Sequence, residues 1–210
     1  MSVGGEVVVE DLAPSVVQLF FDRRDVRVAT LLPRLPGSLP DGLSLARAPE
    51  VEPGIVQISG PASRVDSLSI LNLEPLDLSE IRSSGTFVLP VDTTGLSGMA
   101  VSPQRASVIV YVEETVTREL SEFPVTLPPL SSEPALQARP ASVTLVLTGA
   151  GSLVEAVDPS ALRVTVSRTV ATALAPGEEV RATLSVEGVP DLVDGRLDPG
   201  WVIIRRPTGL

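Results

Sequence analysis

Cysteine, histidine and lysine are all missing from this chain of 210 residues. Without cysteine there are no disulfides, thiolate metal sites or cysteine nucleophiles. Without histidine the commonest general base and metal ligand is gone, and with it the Ser-His-Asp and Cys-His arrangements. All sixteen basic residues are arginine, which is read as a codon bias of a GC-rich genome and not as an arginine-dependent site. Aromatic residues make up only 3%, so the core must be aliphatic and sugar-stacking platforms are scarce. No stretch approaches the roughly 20 apolar residues of a membrane-spanning helix. Residues 1–11 lack the basic and apolar regions of a signal peptide. As written, the chain is expected to be soluble and without an export signal.

What is present points to many short strands. Hydrophobic residues account for 43%, enough for a packed core, while 20 prolines and 16 glycines cut the chain into short segments. A disordered chain would carry fewer apolar residues. The formal charge of −10 repels phosphate backbones, so no nucleic-acid partner is expected. Strands with one buried face are expected where apolar and polar residues alternate. Leu162, Val164 and Val166 alternate with Arg163, Thr165 and Ser167, and Val180 to Glu187 does the same. Val108 to Val112 is apolar on both faces, as in a central strand.

The chain is organised by a repeat. A Pro-led strand, a Gly-Pro break and a short helical turn run from Val51 to Val65, and a weaker copy runs from Arg139 to Val154. Val56–Gly60 aligns with Leu145–Gly149, and Ser63–Asp66 with Ser152–Glu155, at an offset of 89. Pro14 and Pro103, each leading a strand, share that offset, and Pro199 leads a third copy. The expected organisation is all-β with one short helix per unit, about Ala62–Leu68 and Ser152–Val157. Residues 22–113 are expected to form one domain and 114–210 a divergent second. Residues 1–21, with strands at Glu6–Val9 and Val16–Phe21, form either the tail of a preceding repeat or the completion of the first sheet. The former implies a lost beginning. The Pro-rich segments Leu31–Leu45 and Thr117–Leu136 are read as connections within the repeats.

Few residues suggest chemistry. Glu113 and Glu114 are adjacent on a strand and point to opposite faces, so they read as a solvated strand end. Glu178 and Glu179 follow a Pro-Gly turn and read alike. Asp191, Asp194 and Asp198 lack EF-hand spacing and fit a turn better. Gly149 to Ser152 echoes a phosphate cradle but lacks the P-loop lysine. In the first copy Pro61 removes an amide donor. Trp201 reads as core. No catalytic, cofactor-binding or metal residue is assigned, and no cofactor.

The run Val51, Pro53, Val56–Pro61, then Leu76-Asp77-Leu78-Ser79, then Val101-Ser102-Pro103 and Val108–Glu113 resembles the YbbR-like domain family. Its pattern is a "V-x-P-x-x-V-x-V-x-G-P" strand and turn, an "I-D-L-S" strand and a closing strand led by "V-x-P". In the second unit Gly149-Ala150 replaces Gly-Pro, and Leu162-Arg163-Val164 stands where the acidic strand would be. The resemblance implies tandem domains displayed outside the cytoplasmic membrane behind one N-terminal helix. It also implies a link to a membrane-bound diadenylate cyclase, which makes cyclic di-AMP. The expected function is thus a non-enzymatic binding or regulatory module with a protein partner. The alternatives are a structural envelope spacer and, less favoured, a carboxylate-based glycosidase. The oligomeric state is left open.

Overall fold

The computed structural model describes residues 21–129, 135–167, 169–170 and 174–208. The strands expected at Glu6–Val9 and Val16–Phe21 lie outside the described residues except for Phe21, which is exposed and belongs to no strand. The first unit contains β1 (Arg24–Leu32), β2 (Leu43–Leu45), β3 (Glu50–Glu52), β4 (Ile55–Pro61), α1 (Ala62–Val65), β5 (Ile70–Asn72), β6 (Gly85–Pro90), β7 (Ala100–Ser102) and β8 (Arg105–Val110). The long strand β9 (Val112–Thr126) then leads to β10 (Gln137–Arg139), β11 (Ser142–Ala150), α2 (Gly151–Ala156), β12 (Arg163–Val166), β13 (Glu179–Glu187), β14 (Asp194–Asp198) and β15 (Trp201–Arg205). The protein is all-β, with a short helix after the Gly60 strand and another after the Gly149 strand.

Sheet order repeats between the units. In the first, β5-β1-β4-β7 form one sheet and β3-β8-β6 a second. In the second, β12-β9-β11-β14 reproduce the first arrangement and β10-β15-β13 the other, here merged into one sheet through the β12–β13 pairing. β5 runs parallel to β1, and β12 parallel to β9. The remaining pairs of each sheet are antiparallel. Strand β8 is central between β3 and β6, as its two apolar faces suggest. Pro53, Pro103, Pro140 and Pro199 sit at the matching strand breaks, each after a cis peptide bond.

Alternation decides which side of each sheet is buried. Val56 and Ile58 in β4 and Leu145 and Leu147 in β11 are all within 2% of full burial, and the residues between them face outward. The core residues divide along the chain. One cluster comes from Ala29 to Val110 and includes Leu73, Val108 and Val65. Two others, around Val164–Val202 and Leu145–Val154, come from the second half.

The repeated glycines have related surroundings. A Cβ on Gly60 would meet the Met99 side chain just before β7. A Cβ on Gly149 would lie 3.1 Å from the Leu192 carbonyl oxygen and 3.4 Å from Val193 Cα, just before β14. Each glycine lets the end of one strand pass close to the start of its neighbour, and a short helix follows at once.

Three expectations are corrected. The Leu76–Ser79 run forms no strand: Asp77 Oδ1 accepts the Ser79 amide at 2.9 Å and caps a 3-10 turn, Leu78–Glu80. A short side-chain acceptor two residues before an amide competes with strand pairing. Leu162-Arg163-Val164 does not replace that run; by its parallel pairing it matches β5. Trp201 is 36% exposed, because Val202 and Ile204 take the buried side of β15.

Replacing Ile58 or Leu147 by alanine leaves a cavity in a fully packed site. Each variant is expected to lose about 2–5 kcal/mol in chemical denaturation, against under about 0.5 kcal/mol for outward-facing Gln57→Ala.

Candidate functional site

Each unit holds its short helix between two charged side chains of the segment that opens the unit. Helices of four and six residues cannot persist alone, because their end groups lack internal partners. In the second unit Glu113 Oε2 accepts the Ser152 amide, 2.9 Å away, at the start of α2. At the other end Arg118 Nη1 donates to the Val157 and Val154 carbonyls at 3.1 and 3.3 Å. In the first unit Asp22 Oδ2 accepts both the amide (3.1 Å) and the hydroxyl (2.5 Å) of Ser63. Arg27 closes the far end by a two-nitrogen contact with Asp66, the residue after α1, at 2.8 and 3.0 Å. Acid and arginine are five residues apart in both cases.

Strand pairing proves the correspondence. Arg27 lies opposite Ile58 and Arg118 opposite Leu147. On this strand the repeat offset is 91, not the 89 that relates β4 to β11. The Asp22–Arg27 and Glu113–Arg118 pairs are therefore absent from the candidate residues that the sequence suggests, and they come into view only when the first strand is shifted by two.

The electrostatics follow from these bonds. The Ser63 hydroxyl and amide hold Asp22 below the usual carboxylate range. The Ser152 amide does the same for Glu113. A carboxylate with a lowered pKa is a poorer proton acceptor, so the Ser63–Asp22 pair is suited to holding a turn and unsuited to activating a nucleophile. The amides that echoed a phosphate cradle already have an anion, supplied by the chain itself.

Glu113 is thus more than the solvated strand end expected of it, while its neighbour Glu114 is exposed opposite Leu43. Glu178 accepts the Ala175 amide at 2.9 Å and closes the turn around Gly177. Glu179 pairs with Arg205 at 3.5 Å. Both border a cleft of about 510 Å³ with Val170 and Leu174, and both come from one turn. Asp194 and Asp198 sit at opposite ends of β14. Among the described residues no three His, Cys, Asp or Glu side chains gather as a metal site. Arg181 stacks on exposed Trp201, 3.9 Å from the ring centroid. The Pro-rich segment is strand through Thr126, and its residues 130–134 lie outside the described residues.

A β-repeat protein with matched helix clamps is the class that this geometry defines. Residues 26–112 match the family model for "YbbR-like protein", so the chain carries a YbbR-like domain in its first unit. Among solved structures, a YbbR-like protein from Streptococcus pneumoniae TIGR4 is 10% identical, with a TM-score of 0.40 over 90% of this chain and 96% of that one. The YbbR-like domain of a Listeria monocytogenes protein is 17% identical, with a TM-score of 0.38 over 45% of this chain and 96% of that one. A Streptococcus thermophilus protein is 18% identical, with a TM-score of 0.37 over 44% and 87%. A comparison with curated proteins gives no match.

The clamp has a pH signature. Because Glu113 has a lower pKa folded than unfolded, its stabilisation is present above the unfolded value and is lost as pH falls through the folded one. Glu113→Gln is expected to melt below the wild type at pH 7, and the difference between the two is expected to shrink as pH falls from the ordinary glutamate range through the lower folded-state value, below which the carboxylate is protonated in both states. Thermal unfolding followed by circular dichroism checks this.

Proposed function

We propose that this chain is a non-enzymatic binding module acting outside the cytoplasmic membrane, where it contacts and regulates a membrane-bound diadenylate cyclase. The observation that carries the reading is where the carboxylates go. Asp22, Glu113, Asp77, Asp158 and Glu178 each accept a backbone amide of their own chain. Groups that could do acid–base work serve the shape of loops instead, which suits a protein acting by contact. The YbbR-like domain supports the extracytoplasmic setting. Among the described residues no helix is long and apolar enough to cross a membrane, so in this reading a separate anchor holds the chain to the surface.

A second reading, a spacer in the envelope, is favoured by one feature. β9 pairs first with β2 of the first unit and then with β11 of the second, which fixes the distance between units.

The two readings separate in a cell. The chain, fused behind an outward-facing membrane helix, would be co-expressed with the membrane diadenylate cyclase of its own bacterium, and cyclic di-AMP measured by mass spectrometry. Regulation predicts a change of about fivefold or more, the low end of ordinary coupling between sites. An unchanged level removes the cyclase reading and leaves the spacer.

A further inference from the structure

The two units share their buried sides and differ in what they show outside. On the sheet that carries the short helix, outward Val26 and Val28 of β1 stand where β9 has Thr117 and Glu119. On the other sheet the difference is one of charge. The cis peptide bonds before Pro53 and Pro140 align β3 with β10, and the strand registers extend the match. Glu52 lies beside Ser107, and Ser107 beside Val88. In the second unit the same row reads Arg139, Ile203, Arg181. Arg105, two residues past cis Pro103, matches Trp201, two past cis Pro199.

Alternation puts these side chains on one open face. Ala138, Ala182, Val202 and Ile204 take the buried side. Arg139 and Arg181 are exposed, and Trp201 and Ile203 are 36% and 38% exposed. Among the described residues neither Arg139 nor Arg181 has an ion pair. Arg181 rests instead on the Trp201 ring, 3.9 Å from its centroid. The acids of this face have arginines of their own: Glu179 pairs with Arg205 at 3.5 Å, and Glu187, further along β13, stands opposite Arg163. Glu178 is drawn into its own turn, where it accepts the Ala175 amide. Asp198 lies beyond the corner at Pro199, opposite Thr144 of β11. A chain of charge −10 thus shows two cations without an acid partner around an apolar pair.

The size and shape of the face select its partner. Three strands about 4.8 Å apart, over about five residues, span roughly 240 Å². A specific protein interface buries about 800 Å² on each side, so this face is too small to hold a protein by itself. A small molecule needs a concave site, and these four side chains stand on an open sheet. An anionic lipid surface needs neither, because attraction to many headgroups acts without close fit. Arginine and tryptophan each join an apolar body to a polar tip, which suits the boundary between headgroups and water. The acidic remainder of the chain does not forbid the approach. Stacked sheets lie about 10 Å apart, so acids on the far side are a screening length or more away in physiological salt.

We infer that the β10-β15-β13 face docks on the phosphate-bearing headgroups of an anionic membrane, with Arg139 and Arg181 each meeting a phosphate and Trp201 and Ile203 set against the headgroup boundary. The inference rests on the membrane-surface setting proposed above and adds the orientation in which the chain lies there. Each arginine near such a surface is worth about fivefold in binding, so two give about 25-fold. That is weak for a free protein and sufficient for one that an anchor already holds at the surface, where the local concentration is high. The first unit, with Glu52 and Val88 in those places, offers no such face.

Trp201 is the one tryptophan of the chain, so its fluorescence reports on this face directly. The full chain is titrated with phosphatidylglycerol vesicles at low salt. Co-sedimentation with the vesicles gives a second readout, since Arg181→Gln alters the surroundings of the ring by itself. The wild type is expected to show blue-shifted emission and to sediment with the vesicles. It is expected to do neither with phosphatidylcholine vesicles, nor in about 0.5 M salt, where the screening length falls to about 4 Å. Arg139→Gln and Arg181→Gln are each expected to bind about fivefold more weakly, and the double variant about 25-fold. Arg105→Gln, at the place in the first unit that matches Trp201, is expected to bind as the wild type does. A wild type that ignores phosphatidylglycerol vesicles overturns the inference, as does binding that the double variant retains or that phosphatidylcholine equals. Soluble glycerol phosphate that shifts the emission as the vesicles do overturns docking on a surface. If vesicles fail and the double variant also abolishes the change in cyclic di-AMP, the face belongs to the protein partner. Vesicle binding does not involve the cyclase, so either reading fails without the other.

Discussion

One strand constrains the whole arrangement. Backbone amides and carbonyls removed from water must find partners, and along β9 they find them in succession. Residues 112–114 pair with β2, residues 115–124 with β11, and residues 125–126 with β12. The Thr115 amide donates to the Gly42 carbonyl at 2.8 Å, and the Ser44 and Thr115 hydroxyls meet at 2.7 Å. The boundary between 113 and 114 therefore falls inside a bonded strand. Glu122, with φ of 56°, sits in a bulge where the β11 pairing shifts register, so one strand can serve both flanks of the second core.

The two clamps follow from that strand. The residue that caps α2, Glu113, lies in the segment paired with the first unit. The residue that closes it, Arg118, lies in the segment paired with the second. A four- or six-residue helix contributes little itself. It plugs the end of a sheet with Val65 or Val154, both fully buried, and the charged pair keeps that plug seated. The acidic composition is thus partly internal chemistry, since several carboxylates hold turns. The outer faces were free to diverge, and did so along the β1 and β9 pair.

Much of this fold is legible in the amino-acid order alone. Alternation locates β12 and β13, the proline breaks locate β4 and β11, and the glycines at 60 and 149 locate matching turns. The failures have physical causes. Asp77 sits among apolar neighbours that read as strand, but its side chain reaches the Ser79 amide first. Trp201 is bulky and apolar, yet the strand's period of two gives the buried side to smaller Val202 and Ile204. Glu113 reads as a strand end because its partner, the Ser152 amide, is remote in sequence. The Asp22 and Glu113 match is hidden because the connection between the first and second strands is two residues shorter in the second unit. A single offset cannot align both.

Continuity of β9 also decides how the molecule would bear a pull. Tension leaving the first unit enters the second along the axis of a strand already laddered to β11 by antiparallel pairing. Force in that direction loads the cross-strand bonds in shear, together, instead of peeling them one after another. The second unit would resist stretching as a block, and the weak point would lie where β2 holds the strand through only three residue pairs.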